Sequence, residues 1–129
     1  MQEMESPEFF SIAEGYGRFC PQGQMSLQEA VALVTRAIVF CRDNKIPKLL
    51  VDVTRLTGFP SPSVVDRYWF VREWAGEARG SVSAAMVARP EFIDPEKFGV
   101  MVAANAGWRC DVFASEQQAL EWLLKGKQG

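Results

Sequence analysis

The sequence predicts an α/β fold in the order ββαβαβαβα, a mostly parallel, mixed sheet that opens with an N-terminal hairpin. Three observations carry this. Lys48-Leu-Leu-Val-Asp-Val-Thr54 is a near-continuous apolar run ending in polar groups, the pattern of a strand covered on both faces. Strand-like and helix-like stretches alternate after it, which implies crossover connections and parallel pairing. The first two short strands are separated only by Ala13-Glu14-Gly15, a turn that makes them a hairpin.

Each element has a local reason. Glu8 to Ile12 and Tyr16 to Cys20 are the hairpin strands, and Pro21 and Gly23 weaken the far end, as at an edge or a bulge. Ser26 with Glu29 is a capping-box pattern that opens the first helix. It runs to about Asn44 and stops at Lys45-Ile46-Pro47, because proline disfavours helix at the residue before it. Leu49 to Val53 is the next strand. A second helix spans Ser61 to Ala78 and stops at Gly80, and Val82 to Ala88 follows as a strand. Asp94-Pro95 reads as an N-cap with proline at the first helical position, and Gly107 ends that helix after about Ala106. Trp108 to Phe113 is the last strand, Ser115 caps a final helix through Leu124, and Gly126 to Gly129 reads as a frayed tail.

A length of 129 residues fits one domain with an ordered core from about residue 8 to 124. Forty-eight per cent apolar and 23% charged residues argue against disorder. Fourteen basic against sixteen acidic residues, with no basic stripe, argue against a nucleic-acid partner. No apolar run approaches the ~18 residues of a membrane span. The acidic start Met1-Gln-Glu-Met-Glu5 is unlike a secretory signal, so a cytoplasmic location is expected.

Catalysis finds little support. There is no histidine, no Walker loop, dinucleotide fingerprint or nucleophile elbow, and no convincingly spaced carboxylate pair. No enzyme activity, metal or cofactor is expected. Cys20, Cys41 and Cys110 lack the spacing of a zinc site and read as small hydrophobes, with Cys20, two residues after Arg18, the one mild candidate for reactivity.

At about 100° per residue, Val64, Tyr68, Val71, Ala75 and Ala78 form the expected core stripe of the second helix, and Trp69 and Phe70 fall off it. In the first helix Leu27, Val31, Val34, Ile38 and Cys41 share the core stripe, while Leu33 and Phe40 make a second ridge. A surface helix ordinarily has one apolar stripe. The extra ridges fit helix–helix packing, a homodimer interface or a pocket for an apolar ligand.

Two further regions are candidates. At the turn before the second helix, Ser61 with Pro62, or Ser63 with Asp66, is a complete helix-start signature. A phosphate at that N-terminus would also be favoured by the unpaired N–H groups. At the carboxyl ends of the parallel strands, Asp52, Thr54 and Arg55, with Arg89 and Lys97, outline a possible ligand rim. The structural alternative pairs Asp52 with Arg55 or Arg89, or with backbone N–H groups.

The order of elements is similar to the SpoIIAA-like fold of anti-sigma-factor antagonist (STAS) domains and Sec14-like lipid-binding domains. Gly23, Leu49-Leu-Val-Asp-Val-Thr-Arg-Leu-Thr-Gly58, Ala85-Met-Val-Ala-Arg-Pro-Glu91, Asp94-Pro-Glu-Lys-Phe-Gly99 and Val112-Phe-Ala-Ser-Glu-Gln-Gln-Ala-Leu-Glu-Trp-Leu123 resemble a small bacterial STAS/Sec14-like family. The resemblance implies a non-catalytic regulatory module with a protein partner, or with itself as a homodimer. It also implies a phospho-acceptor serine before the second helix, nearest Ser63, with Ser61 beside it. Where STAS antagonists carry an Asp-Ser-Ser-Gly-like motif, this chain has Ser61, Pro62, Ser63 and Val64. The Sec14-like side implies a small apolar or lipid-like ligand, which needs a cavity of at least ~300 Å³.

Overall fold

The computed structural model describes residues 7–125; Met1 to Glu5 and the tail Gly126 to Gly129 lie outside the described residues. In chain order the elements are β1 (Phe10–Ala13), β2 (Tyr16–Phe19), β3 (Gly23–Gln24), α1 (Leu27–Asp43), β4 (Lys48–Asp52), β5 (Leu56–Thr57), α2 (Val64–Ala78), β6 (Ser83–Val87), α3 (Phe98–Asn105), β7 (Cys110–Phe113) and α4 (Glu116–Lys125). The main sheet has the order β1-β2-β4-β6-β7. β1 is antiparallel to β2 and every later pair is parallel. The mixed, mostly parallel sheet with its opening hairpin is the α/β architecture expected from the sequence. Unexpected are β3 and β5, which pair in parallel beside it and tie the segment after β2 to the segment after β4.

From β2 onward each crossover moves one strand further in the same direction. Crossovers of one hand then place every connecting helix on one face. Phe19, Leu49, Val51 and Ala84 accordingly share a core with Val34, Ile38 and Cys41 of α1, Trp74 and Ala75 of α2, and Ala103 of α3. The other face of the sheet, at Leu50, Ala85 and Val87, packs on Ala119 and Leu123 of α4. Arg18 of β2 clasps Glu116 of α4 through two hydrogen bonds of 3.0 and 2.8 Å. That bond to Glu116 is the main cause holding the Arg18 guanidinium above its ordinary pKa.

The helix ends follow backbone chemistry. Ser26 and Ser63 are both N-caps in complete capping boxes, with Glu29 and Asp66 reaching back. α1 ends in a Schellman motif: Ile46 N–H donates to the Cys41 carbonyl and Lys45 N–H to that of Arg42. Lys45 takes the left-handed conformation, φ 58°, that glycine usually fills. Pro47 therefore follows a helix already closed by its own backbone bonds.

Two expectations need correction. The helix expected from Asp94 starts at Phe98. Its N-cap is Lys97 and not Asp94, although the Asp94 carboxylate accepts the Phe98 N–H at 2.7 Å. Lys97, however, turns left-handed (φ 52°) and breaks the first turn while its ammonium reaches Asp111 and the Val112 carbonyl. The core stripe of α2 is also rotated: Val71, Trp74, Ala75 and Ala78 are buried, whereas Val64 is exposed. The indole of Trp74 can be buried because its N–H has partners on α1, the Val31 carbonyl at 3.3 Å and the Thr35 hydroxyl at 3.1 Å. It packs against Trp108, whose own N–H donates to the Val82 carbonyl at 2.8 Å.

Trp74→Ala removes the centre of this cluster and is expected to cost about 3–5 kcal/mol in urea unfolding. Gly58 has φ +107° and its missing side chain faces the Met25 backbone oxygen. Gly58→Ala is expected to cost more than about 1 kcal/mol in the same assay, by strain and by displacement of the β3–β5 pairing.

Candidate functional site

The rim at the carboxyl ends of the strands does not form a convergent cluster, because Asp52, Thr54, Arg89 and Lys97 bind their own neighbours. Asp52 accepts from the Thr54 N–H at 2.9 Å and the Thr54 hydroxyl at 2.7 Å, closing the end of β4 with a local turn. Arg55 is exposed, and its carbonyl accepts from the Gly23 N–H. Arg89 donates to the Leu56 carbonyl at 3.3 Å and lies 4.6 Å from the centre of the Phe92 ring. Lys97 binds Asp111 at 2.7 Å and the Val112 carbonyl at 3.0 Å, on the outer edge of β7. The strand order also never reverses, so it lacks the switch point at which open α/β sheets form their ligand crevice.

What the rim does build is a cover. Two loops meet there, the β5–α2 turn and the Pro90–Phe92 3₁₀ turn that follows β6. Arg67 joins them, donating to the Pro62 carbonyl, the Ser61 hydroxyl at 2.9 Å and the Phe92 carbonyl at 3.2 Å. Phe59 and Phe92 meet edge to face with ring centres 6.0 Å apart. Beneath this cover, between the sheet and the three helices of that face, lies an apolar cavity of about 130 Å³. Val34, Val71, Trp74, Met86, Ala88 and Val112 are among its walls. Arg67, Phe59 and Phe92 were not legible as a unit, because the two rings sit in turns, which carry no periodicity, and the spacing of α2 does not reveal which loops Arg67 reaches. Pro60 directly after Phe59 and Pro90 two residues before Phe92 were the signal of turns there.

The two serines differ in their surroundings. Ser63 is exposed, its hydroxyl accepting the Asp66 N–H at 3.1 Å. Ser61 is exposed too, but its hydroxyl is held by Arg67.

The four ridge residues are dispersed. Leu33 packs against the core cluster, and Phe40 meets Phe10 of the hairpin edge to face at 5.0 Å. That contact is possible because Gly17 lies under the Phe10 ring, where a side chain would meet it at 2.7 Å. Phe70 turns inward and tilts against Trp74 at 4.7 Å. Trp69 alone stands outward, with Tyr68 against it edge to face at 5.1 Å.

Cys41 is buried, and Cys20 and Cys110 are partly buried. Burial pushes Cys41 up to about 12, and Cys110 up to about 12 with Asp111 adding to the effect. Burial also raises Cys20, against the opposing pull of Arg18. Among the described residues no group of His, Cys, Asp and Glu is placed to hold a metal ion, and no helix is long and apolar enough to cross a membrane.

The fold is that of the crystal structure of an anti-sigma factor antagonist from Mycobacterium paratuberculosis. The match covers 90% of this chain and 92% of that one, with a TM-score of 0.58 and 14% identity. It extends the SpoIIAA-like resemblance from sequence motifs to the fold over 90% of the chain. No family model and no curated protein sequence matches the chain.

Two outcomes follow from the caps and the thiols. Ser63→Ala is expected to lower stability by about 1 kcal/mol, the loss of an N-cap, and Ser63→Asp to be near neutral in urea unfolding. The raised thiol values lie above the ordinary 9.0. A folded pKa above the unfolded one means stability is fully present below about pH 9 and lost as pH rises toward about 12. The urea midpoint should therefore fall from about pH 8.5 to 10, and fall less in Cys41→Ala/Cys110→Ala.

Proposed function

We propose that this chain is a non-catalytic regulatory module of STAS type, working by protein–protein contact through the outer face of α2. The observation that carries this is a short outward apolar row on one helix, two residues one turn apart: Val65 is 64% exposed and Trp69 65%. Exposed apolar groups gathered on one element mark contact surfaces more often than isolated ones do, and an exposed tryptophan is the commonest kind of energetic anchor. The solved structure with this fold is an anti-sigma factor antagonist, and by that likeness the partner here is a protein. A second copy of the chain is the partner that can be tested without any other component. Leu33, Phe40 and Phe70 contribute by holding α1 and α2 rigid beneath the row.

Ser63 supports a regulatory input on the same element. Its hydroxyl is exposed at the start of α2, and a phosphate there would meet the free N–H groups of the first turn. Asp66 opposes it in charge, and Arg67 offers a counter-charge only by releasing Ser61. Mass spectrometry of protein from its native host tests this: a phosphate on Ser63 is expected, and its consistent absence removes the input.

For the docking row, light scattering after size exclusion at tens of micromolar is expected to report a dimer of the 14.4 kDa chain. Trp69→Asp is expected to give a monomer with an unchanged far-ultraviolet spectrum. A wild-type monomer would rule out self-association and leave only a foreign protein as the occupant.

A further inference from the structure

We propose that the cavity beneath the Phe59–Phe92 cover binds a small, neutral, apolar molecule the size of a single aromatic ring. Three observations carry the inference. The first is size. At about 130 Å³ the space is too small for an acyl chain. It is close to the ~150 Å³ of apolar cavities that stay dry and take up benzene or xenon.

The second is chemistry. Arg67 is bound to Pro62, Ser61 and Phe92. Lys97 is bound to Asp111 and Val112. Asp94 is bound to the Phe98 N–H. No buried side-chain nitrogen or oxygen among the described residues lacks a partner. A polar or charged ligand would give up its hydration and find no group waiting for it. A neutral hydrocarbon surface loses nothing by the same transfer.

The third is access. The cavity lies against the sheet at Met86 and Val112 and against α1 and α2 at Val34 and Val71, all elements of the central fold. Its cover is made of the β5–α2 turn and the Pro90–Phe92 turn, joined by one arginine and one ring contact. The space is already partly open to the surface, so a ligand reaches it without opening the sheet.

Methyl NMR of the full chain titrated with benzene tests the proposal, independently of self-association. Saturable shifts are expected at Met86, Ala88 and Val112, with Leu50 and Leu123 on the opposite face of the sheet unmoved. Ala88→Leu, which fills the space, is expected to weaken benzene binding by about tenfold or more. Val34→Leu serves the same purpose if that variant does not fold. Shifts that stay linear in benzene, or that are equally large at Leu50 and Leu123, would overturn the proposal. So would a filled variant that binds as wild type does. Saturable displacement of benzene by decanoate would overturn the size limit and return the site to an acyl-chain carrier.

Discussion

Three parallel crossovers, β2 to β4, β4 to β6 and β6 to β7, step across the sheet in one direction, and the remaining features are consequences of that constraint. Because the crossovers share a hand, α1, α2 and α3 lie side by side on one face, and the middle helix has a neighbour on each flank. Trp74 is buried at that point, its ring among apolar side chains and its N–H satisfied by α1. The opposite face receives only α4, a single amphipathic helix pinned at its start by the Arg18–Glu116 pair. The pair is over a third exposed on both sides, so its value is in orientation more than in energy.

The same constraint decides where a binding site can and cannot form. A sheet whose order never reverses does not splay its helices to opposite faces, so the crevice typical of nucleotide-binding α/β proteins is missing. The charged residues at the strand ends then become internal fasteners. Lys97 and Asp111 show how: the ammonium takes the outward carbonyl of Val112, and the carboxylate accepts the Val112 N–H at 2.7 Å. β7 is the last strand of the sheet, and the outer backbone groups of Val112 are thereby occupied, which blunts pairing with another chain there.

The expectations that failed did so for one reason. Helical periodicity ranks faces by the number of apolar residues and not by the size of what is buried, so it chose Val64 over Trp74. The structure ranks by what neighbouring elements can accept. An indole with two hydrogen-bond partners on α1 belongs inside, and a valine in the first turn of α2 does not. Likewise Asp94-Pro95 is a sound helix start read locally. Lys97 overrides it because its charge has a partner fourteen residues away, on a strand no local pattern connects to it.

By itself the sequence determined the order of the helices and of the main-sheet strands, the Ser26 capping box, the buried character of Leu49 to Val51, and the resemblance to a regulatory fold. These are properties of neighbouring residues, where spacing and backbone preference act directly. Only the tertiary structure decided that Phe40 and Phe70 turn inward while Trp69 stays out. It alone showed that the rim residues do not converge, and that Phe59, Phe92 and Arg67 together cover a small cavity. Those outcomes depend on which surfaces meet after the crossovers close. A side chain's partner across the sheet or in another loop leaves no trace in the spacing of its own segment.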